Sequence, residues 1–453
     1  MNKMTSRIKY SYGVGALGKD LTCAIVFTYI MIYLTDVIGL APMFVGNLLL
    51  VARIWDGIND PMMGMIVDNT RSRWGKFRPW ILIGTLINAV MLIFLFRKPN
   101  LEGTALYVYF SVAYILWGMS YTVMDIPYWS MLPSLSSNKE ERDKIAVIPR
   151  IFASLGWLIV GSLGLGIIST LGKGNQVKGF ELFAIGIAVV FIISSIITVL
   201  NVKEQTVLPP NDEKLTLKKA FKTIRTNDQL VAFIGIVLAY NTATQLVGGM
   251  AQYYFKYVIG NEGLFSVFTG FSGISEIAGL MLFPLLSSKF ERGKVYGIGA
   301  TSIISGFIVL LVIGIFMPQN AVAVGVAGII FKLGSGFILG LSTVMLADVV
   351  DYGEFKFGER NESVIFSVQT LLVKFASAIS GWLIGVALSL VGYVANAEQT
   401  AVTIFSMKVL MIGAPIVLVA LSYVIFKKYF KITGSYHEEM LVELEQKRNQ
   451  KVA

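Results

Sequence analysis

The chain has 453 residues, 55% of them hydrophobic and only 15% charged, where a soluble domain carries about 25% charge. Its mean hydropathy of +0.69 excludes an ordinary soluble fold and leaves room for about twelve apolar segments of ~20 residues. One cysteine, Cys23, excludes a disulfide framework. One histidine, His437, set in a polar tail, excludes both a Ser/His/Asp catalytic set and a Cys/His metal cluster.

The predicted elements are membrane spans over 11–37, 44–67, 79–96, 105–132, 146–171, 181–201, 230–258, 264–287, 295–316, 321–347, 364–393 and 402–426. Lys3, Arg7 and Lys9 precede the first span, with no short apolar region and cleavage site after them. This start is therefore read as a span, not a signal peptide. Span one carries Gly13-Val-Gly15-Ala-Leu-Gly18-Lys19, which fits dinucleotide and P-loop spacings. No strand precedes it, and Asp20 replaces the hydroxyl that would hold magnesium, so these glycines predict close helix packing. Gly336-x-x-x-Gly340 and Gly381-x-x-x-Gly385 predict packing faces in the same way. Lys19 and Asp20 sit about a third of the way into an otherwise apolar span, either as a structural pair or as part of a site.

Span two is the most heavily charged. Arg53, Asp56, Asn59 and Asp60 lie within it, and each buried Asp or Arg costs ~2.5–3.5 kcal/mol on insertion scales. Asp56, Asn59 and Asp60 stand at i, i+3 and i+4 and share one helical face. Two carboxylates and an amide oxygen are hard ligands suited to a small hard cation or a proton. The alternative is an ion-pair knot with Arg53, although one Arg cannot neutralise two acids. In span four, Tyr121, Asp125 and Trp129 fall at i, i+4 and i+8, a carboxylate between two aromatic rings. Pyranose rings stack on such faces and give hydroxyls to such carboxylates; the alternative is an interfacial aromatic belt. Arg150 opens span five, as a surface anchor or as a partner for Asp20 and Asp125. In the second half the one deep charge expected is Lys374, in need of an acid partner, with Asp56, Asp60 and Asp125 as candidates.

Positive charge alternates between loops. Asp36 to Ala41 has none, whereas Arg71, Arg73, Lys76 and Arg78 crowd the next loop. Lys139, Arg142, Lys144 and Arg150 follow span four, and Lys203, Lys214, Lys218, Lys219, Lys222 and Arg225 fill the middle segment. Lysine and arginine excess marks the cytoplasmic side, which puts both termini inside. Asn361-Glu-Ser363, a glycosylation pattern, then faces the wrong side for modification. Asp36-Val-Ile-Gly39 recurs as Tyr257-Val-Ile-Gly260, and the same offset carries Asp20 onto Asn241. Two parallel six-span repeats are the plan of the major facilitator fold. The expected domains are an N-terminal six-helix bundle over 1–201, a cytoplasmic middle loop over 202–229, a C-terminal six-helix bundle over 230–428 and a cytoplasmic tail over 429–453. The fold class is thus all-α membrane protein, with 12 transmembrane helices. A polar cavity argues against a drug or peptide exporter of the same fold, and no catalytic set can be built for an enzyme.

Four motifs carry a family resemblance across the chain. They are Asp56-x-x-Asn59-Asp60-Pro, Arg71-Ser-Arg-Trp-Gly-Lys-Phe-Arg-Pro-Trp80, Tyr121-Thr-Val-Met-Asp125-Ile-Pro and Ala347-Asp-Val-Val-Asp-Tyr-Gly353. Together they resemble the glycoside–pentoside–hexuronide:cation symporters, nearest the melibiose permeases. The resemblance implies that Asp56, Asn59, Asp60 and Thr122 form a site for Na+, Li+ or H+. It implies a galactoside site at Lys19, Asp20, Tyr121, Asp125, Trp129 and Arg150, with Thr370 and Lys374 added from span eleven. Phe27 and Leu339 stand where that pattern has Tyr and Trp, which leaves the sugar open. Implied too are symport of a galactoside such as melibiose by alternating access and a bacterial inner-membrane location. The partners are then a sugar, a coupling cation and the bilayer, with no cofactor and no nucleic acid.

Overall fold

Residues 6–135, 139–203, 225–358 and 362–452 are described in the computed structural model, and they are almost wholly helical. The middle-segment prolines and Lys214, Lys218, Lys219 and Lys222 lie outside the described residues, as does Asn361 of the glycosylation pattern. The first six helices are α1 (Ser6–Ile32), α2 (Pro42–Asp68), α3 (Arg78–Leu95), α4 (Gly103–Met131), α5 (Lys139–Gly172) and α6 (Gln176–Asn201). After the middle segment come α7 (Asp228–Tyr253), α8 (Gly263–Lys289), α9 (Arg292–Phe316), α10 (Ala321–Phe357) and α11 (Glu362–Leu390). The chain closes with α12 (Ala401–Tyr429) and the tail helix α13 (Gly434–Val452). Among the described residues, 11 helices are long and apolar enough to cross a membrane. Outside that count are the polar tail helix α13 and α2, whose 27 residues are sufficient in length but include Arg53, Asp56 and Asp60. The predicted span over 44–67 is therefore present as a helix, and its charge, not its length, sets it apart.

The chain divides into two compact units, Met1–Pro210 with Trp382–Gln399, and Asn211–Gly381 with Thr400–Ala453. In the first unit the glycines of span one lie where α1 meets α5 and α6. A Cβ at Gly13 would come within 2.8 Å of Ile148 and Phe152, and one at Gly18 would overlap Ser194. Lipid tails are as apolar as leucine, so helices associate here by van der Waals contact, which needs backbones to approach closely. Tyr12 and Tyr128 stack with centroids 4.5 Å apart, and Tyr12 donates to the Tyr128 carbonyl at 2.7 Å, fixing α1 on α4. The segment 382–399 joins this unit through backbone and side chain. Gly385 faces Gly46 closely enough that a Cβ would stand 2.8 Å from the Gly46 Cα. Ser389 accepts from the Met43 amide at 2.8 Å, and Tyr393 donates to the buried Asp36 carboxylate.

The 221-position echo is structural. Both α1 and α7 widen at their ends into a π turn, Tyr33–Val37 and Tyr254–Ile259. Each stops at a glycine in the left-handed region, Gly39 (φ +90°) and Gly260 (φ +75°), which L side chains rarely adopt. In the second unit α8 and α10 approach through Gly279 and Gly336, where a Cβ on Gly336 would meet the Glu276 carbonyl at 2.6 Å. The tail helix docks on this unit. The His437 Nε2 stands 3.3 Å from Asp348, which also pairs with Arg292. Burial and the nearby Arg292 guanidinium hold the His437 imidazole below its usual range.

Candidate functional site

The first unit gathers the charged residues of α1, α2 and α4. Lys19 is the hub. Its ammonium lies 2.9 Å from Asp125 and 3.0 Å from Asp20, with a side chain only 4% exposed. It also reaches the Tyr121 hydroxyl at 3.4 Å. Aromatic rings wall it in, with Trp129 at 5.1 Å, Tyr128 at 5.7 Å and Tyr121 at 5.8 Å from the ammonium to the centroid. A lysine at this depth is stabilised by paired acid and by ring faces together. Two acids against one base leave this trio with a formal charge of −1. Among the described residues, Asp20 Oδ2 and Asp125 Oδ1 have no hydrogen-bond partner beyond their ion pairs with Lys19. Such carboxylate oxygens, held in place by one ammonium beside aromatic faces, suit the hydroxyls and apolar ring face of a sugar.

The second cluster is carried by α2 and faces α4. Arg53 Nη1 pairs with Asp56 at 2.7 Å, its Nη2 donates to the Tyr114 hydroxyl at 3.1 Å, and its guanidinium lies 4.5 Å from the Phe27 ring centroid. The ion pair with Arg53 is thus formed, and it engages Asp56. Asp60 instead accepts from Thr122 at 3.0 Å. Asn59 shares that face, and its buried Nδ2 has no hydrogen-bond partner among the described residues. Gly118 keeps α4 open beside Asp56, since a Cβ there would come within 3.4 Å of the carboxylate. Oxygen donors of this kind fit a hard monovalent ion or a proton. Among the described residues no group of three or more His, Cys, Asp or Glu is placed to hold a metal. The two clusters are joined by consecutive residues of α4: Tyr121 touches Lys19, and Thr122 donates to Asp60.

Not every predicted residue falls in these clusters. Arg150 is exposed near the start of the apolar part of α5, and among the described residues no ion pair joins it to Asp20 or Asp125. The group that meets Asp20 from α5 is Trp157, whose Nε1 donates to Asp20 Oδ1 at 3.3 Å. Sequence reasoning missed it, although seven residues after Arg150 is two turns along the same face. Lys374 is half-buried in α11 of the second unit. Thr370 lies one turn earlier in that helix, with its side chain outside the described residues. The expectation that Lys374 is the one deep charge of the second half is corrected. Glu276 of α8 and Lys332 of α10 pair at 3.0 Å well inside their helices. Single charges at mid-span are a sequence signal in their own right, and these two were passed over.

Spanning helices with charge turned inward onto paired acid–base clusters define a membrane transporter. A family model described as MFS/sugar transport protein matches residues 11–434. The chain belongs to this family of sugar transporters of the major facilitator superfamily, and it is a multi-pass membrane transporter, not an enzyme. It is 32% identical over 449 residues to the isoprimeverose transporter of Lactiplantibacillus pentosus, covering 98% of this chain and 92% of that one. It is 29% identical over 473 residues to the lactose permease of Lactobacillus delbrueckii subsp. bulgaricus, covering 98% of this chain and 73% of that one. A crystal structure of a variant of the nucleoside transporter NupG superposes with a TM-score of 0.69 at 12% identity, covering 92% of this chain and all, 100%, of that one. That likeness is of fold. The glycoside–pentoside–hexuronide resemblance and the major facilitator expectation agree with these findings.

Proposed function

We propose that this protein is a symporter that moves a neutral glycoside, a galactoside such as melibiose, together with Na+, Li+ or H+ by alternating access. The observation that carries the reading is the pair of clusters joined through Tyr121 and Thr122. Asp20, Asp125 and Trp129 offer acceptors and a ring face for the sugar, with Lys19 as their fixed counter-ion. Asp56, Asn59, Asp60 and Thr122 offer oxygen ligands for the ion. A cation settling at Asp60 reorients Thr122, and the adjacent Tyr121 transmits this to Lys19. Coupling of this kind is reciprocal, so sugar raises cation affinity by the factor that cation raises sugar affinity. The membrane potential adds ~2.3 kcal/mol per charge per 100 mV.

We assign the protein to a bacterial inner membrane with both termini cytoplasmic, on the strength of the loop asymmetry in lysine and arginine. A second reading keeps the mechanism and changes the sugar. The relatives carry the names of isoprimeverose and lactose carriers, and Phe27 and Leu339 depart from the melibiose pattern. The test is uptake into membrane vesicles of melibiose, lactose, raffinose and isoprimeverose, each with sodium, lithium or neither at two pH values. Cation-stimulated accumulation of one or more of these sugars is the expected result. Transport of none, or transport indifferent to cation and pH, overturns the reading.

A further inference from the structure

Glu276 stands at the middle of α8, thirteen residues from either end of Gly263–Lys289. Its carboxylate takes both contacts from Lys332, at 3.0 and 3.1 Å, and Ser335 donates to it at 2.9 Å. Ser335 in turn stands 2.7 Å from the Tyr240 hydroxyl, so three helices of the second unit converge on this carboxylate. Stability alone does not account for such a pair. An apolar pair of equal volume is as stabilising or more so at a buried site, because it has no desolvation cost. Charge at membrane depth is instead the mark of a solute path.

Two features say what kind of solute. First, the pair is open. The Lys332 and Glu276 side chains are 24% and 27% exposed, against 4% for Lys19. The open side of Glu276 is not the lipid side. The large exposed apolar residues of α8 are Phe271, Ile274, Met281, Leu282 and Leu285, and at about 100° per residue Glu276 lies roughly 120–180° around the helix from each of them. Second, the pair is neutral as a whole but not saturated. Lysine has three N–H donors and the contacts to Glu276 come from one ammonium, so a donor remains, and Glu276 Oε2 keeps a lone pair beyond the lysine contact. A vicinal diol fits this arrangement: one hydroxyl accepts from Lys332 and its neighbour donates to Glu276. An anionic or cationic solute would break the charge balance of the pair.

We propose that Glu276 and Lys332 form a second glycoside-binding contact, carried by the second unit, which selects among sugars by the placing of adjacent hydroxyls. This inference rests on the proposed function. The experiment compares Glu276→Gln, Lys332→Met, Ser335→Ala and the exchanged pair Glu276→Lys/Lys332→Glu with the parent. The readouts are affinity for each sugar of a panel differing in one hydroxyl, and thermal stability in detergent. The single charge variants are expected to weaken the preferred sugar about 10–100-fold, in line with charged hydrogen bonds of ~1.5–3 kcal/mol. All four are expected to change the order of preference among sugars. The exchanged pair restores the ion pair, so it recovers thermal stability without recovering the parent's order. If the single variants do not fold, the exchanged pair and Ser335→Ala decide alone. A parent-like order in those two, or a change confined to cation dependence, overturns the inference. Asp125→Asn is measured beside them. Parent-like sugar affinity in that variant overturns the proposed function, whatever the second-unit variants show.

Discussion

Replacing Lys19 by Met keeps an unbranched apolar stem and removes its charge, and the structure sets the size of the effect. Asp20 and Asp125 lose their shared partner, with 13% and 25% of their side chains exposed. Breaking a buried pair from one side costs about 3–5 kcal/mol. The loss has a ceiling, because the site can take up a proton instead. Neutralising an ordinary Asp at pH 7, against its reference value of about 3.9, costs roughly 4 kcal/mol. The expected deficit at pH 7 is therefore about 2–4 kcal/mol, discounted for the part-exposed Asp125, and appears both as lower thermal stability and as sugar affinity reduced at least about 30-fold. Sugar binding by calorimetry and the unfolding midpoint at pH 7, each against the parent, measure both. Parent-like affinity or a parent-like midpoint at pH 7 refutes the role of Lys19 as the counter-ion of these two acids.

Trp157→Phe keeps the ring beside Phe27 and deletes the donor to Asp20, so sugar affinity should fall several-fold with little loss of stability; an unchanged affinity in the binding assay counts against a role for that contact. Gly18→Val places side-chain atoms where Ser194 stands, and a thermal midpoint lowered by several degrees is expected, with retained stability excluding close packing of α1 on α6. For His437, whose imidazole titrates below its usual range, the unfolded tail binds more protons than the docked one. Docking of α13 should therefore weaken as pH falls through about 6.5 and below, read as faster amide exchange over 434–452, and His437→Gln should remove that dependence. A cysteine placed in the Met317–Asn320 loop should react with an impermeant reagent from outside only, and inside-only reaction reverses the orientation.

The fold was legible because membrane helices are written in long apolar runs, and the repeat because a turn that needs a left-handed residue keeps its glycine at Gly39 and Gly260. The first-unit site was legible for the opposite reason: Lys19, Asp20, Asp56, Asp60 and Asp125 are costly where they stand, so their types and spacing were conspicuous. What the sequence did not disclose was pairing between helices. Tyr114 on α4 accepts from the Arg53 guanidinium that pairs with Asp56, and no spacing rule spans the 61 residues between them. Trp157 was obscured by being aromatic among apolar neighbours, where a ring reads as packing. Glu276 and Lys332 were obscured by distance, since each is a lone charge in the apolar middle of its helix and only the contact of α8 with α10 makes them a pair.

That division between the two acids of α2 leads to a last expectation. Asp56 is bound to an arginine, and Asp60 to a hydroxyl. Together with Arg53 they carry a formal charge of −1, which one monovalent cation balances. Removing Asp56 as Asn strands the Arg53 guanidinium, whose side chain is 10% exposed, beside the Tyr114 hydroxyl and the Phe27 ring. Asp56→Asn should then lose stability, by up to the ~3–5 kcal/mol of a broken buried pair, as well as cation response. Asp60→Asn strands no base within this trio, and Thr122 can still donate to the amide oxygen. It should lose less stability than Asp56→Asn and bind sugar measurably, yet show no gain in sugar affinity from the proposed coupling cation. The discriminating measurement is sugar affinity with and without sodium, set beside the unfolding midpoint of each variant. Sodium-stimulated binding retained by Asp60→Asn would show that the Asp56–Asn59–Asp60 face does not hold the coupling ion. Equal stability losses in both variants would show that Arg53 does not distinguish the two acids.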